Sequence, residues 1–136
     1  MVYVLDTNIF SALMRHEPAA VSRLLALSPR DVVVPQPVVA EIRHGLARLP
    51  RSRRRAALTA SFSALLGSLQ RAHWTDEVSA RFGAIKSDLE RRGQRLDDFD
   101  VAIAAHALAV DGVLVTRNDR HLARIPGLSC EVWADA

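Results

Sequence analysis

The sequence predicts an α/β/α sandwich around a central, mainly parallel sheet. Short apolar runs suited to buried strands recur at residues 2–5, 32–34 and 113–116, with helical patterns between them. Alternation of that kind places helices on both faces of a parallel sheet. The 136 residues fit one domain spanning 1–136, 49% of them are hydrophobic, and no internal repeat, linker or low-complexity tract divides the chain.

The elements follow in order. Residues 2–5 read as a buried strand and residues 8–16 as the first helix, with Asn8 suited to cap it and Pro18 ending the pattern. Residues 19–27 are helical and close at Ser28-Pro29. Residues 32–34 are three β-branched residues in a row, a central strand by composition. Pro37 suits the first position of a helix that carries Val38, Ile42, Gly45 and Leu49 at helical spacing. The arginine-rich stretch 51–55 interrupts the apolar pattern near Pro50, and residues 56–69 form the next helix. After Trp74 a helix over 77–92 stops at Gly93. Asp97 and Asp98 cap a helix over 100–110, and Asp111-Gly112 is a turn. A strand over 113–116, a helical turn over 119–124, a turn at Pro126-Gly127 and a last strand over 130–133 complete the chain.

Composition narrows the chemistry. The net charge is +3, and Lys86 is the only lysine among the cations. Arginine suits phosphate and carboxylate forks better than lysine does. The single cysteine, Cys130, excludes an intramolecular disulfide and a cysteine-based zinc site, and reads as a buried small hydrophobe. The N-terminus begins directly with a strand rather than a signal peptide. No apolar run approaches the roughly 20 residues needed to cross a bilayer. A soluble cytoplasmic protein with no membrane partner is expected.

Four acids stand at strand or helix boundaries: Asp6, Glu41, Asp100 and Asp119. Ligands of open parallel sheets bind beyond the carboxyl ends of the strands, so Asp6, Glu41 and the 116–119 segment can share one rim. Asp100 shares a helical stripe with Ile103, Ala104 and Ala107, where a carboxylate without a partner is costly. Gathered carboxylates repel one another unless protonated or bound to cations, and hard divalent ions are their natural partner. Each acid also has a plainer role: Asp6 as a helix cap, Glu41 as a solvated helix acid, Asp100 as a further cap or half of a salt bridge, and Asn118-Asp119 as a turn. Gly45, one turn beyond Glu41, leaves room beside that carboxylate. Asn8 and Thr116 are short polar residues beside the proposed cluster. His106 lies about 120° around its helix from Asp100 and fits packing better than catalysis.

The chain resembles a known family. Asp6-Thr7-Asn8 after the first strand, Glu41 in the second strand–helix unit, and the run from Phe99 and Asp100 to His106 and Ala107 are similar to the PIN domain. Val115-Thr116-Arg117-Asn118, Ile125-Pro126-Gly127-Leu128 and Glu131-Val132-Trp133 resemble the VapC toxins of bacterial type II toxin–antitoxin pairs. The resemblance spans residues 2–133. It implies a PIN-like fold and a Mg2+- or Mn2+-dependent endoribonuclease that leaves a 5′-phosphate and a 3′-hydroxyl. Asp6, Glu41 and Asp100 match the acidic pocket, as ligands or catalytic groups. Asn118 occupies the place where many PIN domains have aspartate, with Asp119 one residue later, so either residue completes the set. Asp98 is a candidate supporting group. Arg15, Arg117, Arg120 and the 51–55 cluster are candidates to hold the RNA backbone against the acids, with single-stranded or loop RNA favoured as substrate. The resemblance further implies a homodimer, or a heterotetramer or larger assembly with a VapB-like antitoxin, often one whose arginine-bearing tail enters the acidic pocket.

Other readings fit less well. A haloacid-dehalogenase phosphohydrolase needs a second aspartate where Asn8 stands, and a lysine that Lys86 is poorly placed to supply. A receiver domain needs an aspartate ending its third strand and a lysine after its fifth. A catalytically inert PIN-like module that binds RNA or protein is the remaining alternative, and the near-complete set of acids opposes it.

Overall fold

The computed structural model describes residues 1–133 of the chain. Five strands, β1 (Tyr3–Leu5), β2 (Val32–Pro35), β3 (Gln70–Ala72), β4 (Val113–Thr116) and β5 (Ser129–Val132), form one sheet in the order β3-β2-β1-β4-β5. Every pairing is parallel. Helices α1 (Thr7–Met14), α2 (Pro18–Leu25), α3 (Gln36–Arg48), α4 (Arg53–Ser68), α5 (Asp76–Arg91) and α6 (Asp98–Ala109) flank it.

The three central strands are covered on both faces, so they read as continuous apolar runs. Val4, Leu5, Val32, Val34, Leu114 and Val115 are all buried in the common core. The edges obey other rules. Gln70 and Arg71 of β3 are exposed and pair only with Val33 and Val34. That strand, unforeseen from sequence, is held by backbone bonds and has no apolar signature. At the other edge Trp133 lies just past β5, yet its N–H donates to the Thr116 carbonyl at 2.9 Å and its side chain is buried.

Helix starts correct several expectations. Asp6, not Asn8, caps α1, accepting from the Ile9 N–H at 2.9 Å. Pro18 opens α2 instead of merely closing the preceding pattern, because a proline at the first helical position loses no hydrogen bond. The Ser52 hydroxyl accepts from the Arg55 N–H at 3.1 Å, so α4 starts before residue 56 and carries three arginines in its first turn. Cations there oppose the helix dipole, but the side-chain cap prevails. Asp97 caps α6 through the Phe99 N–H at 2.8 Å, while Asp98 is already helical.

Residues 101–107 of α6 are buried all round, which marks a core helix. His106 is 1% exposed, with Nδ1 2.8 Å from the Ala102 carbonyl and its ring edge-on to Trp74. A carbonyl can only accept, so Nδ1 carries the proton and Nε2 is left without a partner. Burial holds its pKa below the usual histidine value. A packing position, as its place on the helix predicts, is what these contacts describe. Gly112 leads into β4 where a Cβ would stand 2.8 Å from the Val2 carbonyl oxygen, which itself accepts from the Val113 N–H at 2.8 Å. Among the described residues no helix is long and apolar enough to cross a membrane.

Candidate acidic active site

The sheet delivers Asp6 to its carboxyl edge through β1, the central strand. The Asp6 N–H donates to the Val115 carbonyl at 3.0 Å, extending the β1–β4 pairing by one residue. Its side chain then caps α1, and the Thr116 hydroxyl at the end of β4 reaches it as well. Thr116 also lies 3.3 Å from the Asn118 carbonyl, and its one proton serves a single acceptor at a time. Burial raises the Asp6 pKa above the ordinary carboxylate range. Hydrogen bonds from Thr116, Ile9 and Asn8 pull the other way, and the charge of Asp100 adds to the rise.

Glu41 comes from α3, the helix after β2, and Thr7 donates a short hydrogen bond to its Oε1. Burial lifts the Glu41 pKa despite Thr7, with further upward pushes from Asp100, Asp97 and Asp6. Gly45, one turn on, has nothing within 4 Å of where a Cβ would stand, so the space beside Glu41 is open. Asp100 projects from the first turn of α6. The residue as a whole is exposed, yet partial burial of its carboxyl lifts its pKa, Asp97 lifts it further, and His121 offsets part of this.

Asp6, Glu41 and Asp100 therefore act on one another electrostatically although they come from three separate segments. None of them pairs with arginine or lysine among the described residues. Within that set, no three Asp, Glu, His or Cys side chains converge closely enough to enclose an ion by themselves. A cation bound between these acids would keep part of its water shell, as magnesium does. The donors are all oxygen, and their ionisation is disfavoured without a countercharge. Both properties fit a hard divalent ion.

The remaining candidates have partners of their own, and two of them stay beside Asp6: the Asn118 N–H donates to the Thr116 hydroxyl at 3.3 Å, and Asp119 and Asp6 both act on Cys130. Asn118 closes a turn, its Oδ1 accepting from the Arg120 N–H at 2.9 Å. Asp119 is exposed, and its charge acts on Cys130, whose thiol is raised to about 11 by burial first and then by Asp119 and Asp6. Cys130 itself is half-buried against the core. Asp98 pairs with Lys86 at 3.0 Å. Arg15 and Arg117 both reach Glu17, at 2.7 and 3.2 Å. Two residues escaped sequence reasoning. Thr7 meets Glu41 across 34 positions of chain, which no local pattern signals. Asp97 was read only as a cap, but it sits three residues before Asp100, a spacing that puts both on one side of a helix.

A family model of the PIN domain matches residues 3–128. Ribonuclease VapC2 of Rickettsia felis is 28% identical over 135 residues, covering 98% of each chain. The tRNA(fMet)-specific endonuclease VapC of Shigella flexneri is 26% identical over 132 residues, covering 97% of this chain and 98% of that one. Among solved structures, VapBC2 from Rickettsia felis bound to a DNA fragment from its promoter aligns with a TM-score of 0.88 at 27% identity, covering 98% of this chain and 99% of that one.

Proposed function

The chain belongs to the PIN-domain family, and from that premise we propose that it is a Mg2+- or Mn2+-dependent endoribonuclease, the toxin of a bacterial type II toxin–antitoxin pair. One observation carries the chemistry: three acids with raised pKa values share the carboxyl edge of the central strands, and among the described residues none of them is paired with arginine or lysine. The likeness to VapC ribonucleases over nearly the full chain carries the RNA substrate and the toxin role. Residues 1–136 act as one domain, in the cytoplasm. A VapB-like antitoxin is its partner, as the VapBC complex suggests.

Asp6 and Asp100 would hold the metal, and Glu41 would serve as ligand or base. A bound divalent ion supplies an activated water and neutralises charge on the phosphoryl and leaving oxygens. The protein's share is orientation and proton handling. Asp6 is fixed by Ile9 and Thr116, so its carboxylate presents one direction to the rim. Thr7 anchors Oε1 of Glu41 and leaves Oε2 for a water. The raised pKa of Glu41 makes it a better proton acceptor than an ordinary glutamate. Asp97 supplies a fourth negative charge, because it acts on both Glu41 and Asp100.

The test is cleavage of RNA with manganese or magnesium, arrest by EDTA, and loss of cleavage in Asp6→Asn and Asp100→Asn with the circular dichroism unchanged. Full cleavage by both variants would overturn the site, and no cleavage by the wild type with either metal would overturn the activity.

A further inference from the structure

Beside the acids a groove of about 290 Å³ runs between α1, α3 and α4, and beyond Thr7 and Glu41 its lining takes no part in the chemistry described above. Its near end is Thr7, Asn8 and Glu41, so the groove opens directly onto the acidic edge. Its floor is apolar: Met14 and Ile42 are buried, with Leu46, Leu49 and Leu58 along the walls. Gly45 lines it, and a Cβ there would meet nothing within 4 Å. Two arginines mark its rim. Arg15 is fixed by Ser11 at 2.8 Å and Glu17 at 2.7 Å. Arg54, in the first turn of α4, is exposed and makes no hydrogen bond or ion pair among the described residues.

We propose that this groove is a nucleotide subsite, which takes one unstacked base of a single-stranded RNA next to the phosphate being cut and so contributes to the choice of cleavage position. The inference rests on the nuclease reading and gives it a specificity element. A nucleotide presents its parts in the order the groove offers. The base has apolar faces for the leucine and methionine floor, and the ribose hydroxyls meet Asn8 and Ser11. The phosphate on one side meets Arg54, while the phosphate on the other reaches the acids. Arginine guanidinium planes also stack on unpaired bases. The pocket has room for a single base and its sugar, so a paired base would have to leave its helix first.

The experiment uses the full chain carrying Asp100→Asn, so that RNA is bound without being cut. The probe is a fluorescein-labelled single-stranded oligoribonucleotide of about ten mixed-sequence nucleotides, read by anisotropy. Gly45→Leu fills the groove from an exposed helical position where a Cβ meets nothing, so the melting temperature should hold or rise. It should weaken binding about tenfold, the scale of one lost base contact. Arg54→Glu should weaken binding and lower the salt slope by about one, whereas Arg30→Glu, on a remote exposed turn, should have a much smaller effect. With Asp100 restored, Gly45→Leu should shift the positions cut in a long transcript. Unchanged affinity in Gly45→Leu, together with equal effects at Arg54 and Arg30, would overturn the subsite. So would a Gly45→Leu variant that binds RNA normally and loses only a peptide partner. Wild-type cleavage with an indifferent groove sinks the subsite alone, while absent cleavage sinks the nuclease reading beneath it.

Discussion

Glu17 and the acids at the sheet edge are two negatively charged centres treated in opposite ways. Glu17 lies between Arg15 and Arg117, and hydrogen bonding from Arg15 holds its pKa below the usual value. Asp6, Glu41 and Asp100 are all raised, chiefly by burial and partly by neighbouring carboxylates, Asp97 among them. Shortage of cations does not explain the difference, since the chain has 18 lysines and arginines against 15 acids. Arg117 follows Thr116, which touches Asp6, yet its guanidinium reaches Glu17. An acid that serves structure is neutralised within the fold. The acids at the edge have no arginine or lysine paired with them among the described residues.

The sharpest way to break this contrast is to exchange the acids for amides. Asp6→Asn or Asp100→Asn should lower metal-dependent RNA cleavage by on the order of a hundredfold or more. Glu17→Gln should leave cleavage intact, and a gel assay in which Glu17→Gln did the greater damage would reverse the assignment. Next in size, Thr7→Val releases Glu41 and should lower turnover roughly tenfold, as loss of an orienting partner does. Equal rates would show that the Thr7 contact is incidental.

Proton linkage gives a third test. Each edge carboxyl titrates higher in the folded chain than in the unfolded one, so its ionisation disfavours the fold. That penalty is absent below the ordinary carboxylate range, grows as pH rises through the raised values, and is complete at neutral pH. Metal-free protein should therefore gain melting temperature as the pH falls from neutral to the ordinary carboxylate range. The Glu17 contribution has the opposite sign and is lost only below that window. Manganese should raise the melting temperature more at neutral pH than at acid pH, and a shift independent of pH would separate the ion from these carboxylates. The smallest effect distinguishes Asp97 from Asp119. Asp97→Asn, which keeps a capping side chain, should move the acid limb of the pH–rate profile to lower pH. Asp119→Asn should leave that limb in place and lower the Cys130 pKa from about 11, read by thiol alkylation.

Legibility in the sequence followed burial. Strands β1, β2 and β4 sit in the middle of the sheet and announce themselves as unbroken apolar runs. At the edge, β3 needs only backbone pairing, so Gln70 and Arg71 gave no sign of it. Helix bodies were readable from spacing and Asp97 was read as a cap, but Asp6 competed with Asn8 for the capping role and Ser52 was hidden in the arginine-rich stretch 51–55. For the candidate site, the boundary positions of Asp6, Glu41 and Asp100 were visible. Which groups they meet depends on strand order, which no local pattern encodes. The Thr7–Glu41 bond and the contact of the Thr116 hydroxyl with Asp6 are products of that order.

The position of β1 has a further consequence. Strands on both sides shield its amides, so hydrogen exchange at Leu5 should be among the slowest in the molecule, whereas β3 and β5 can fray at little cost. Asp6 is rooted in that slow-exchanging backbone. Local unfolding at the margins would therefore leave the backbone that carries Asp6 in place.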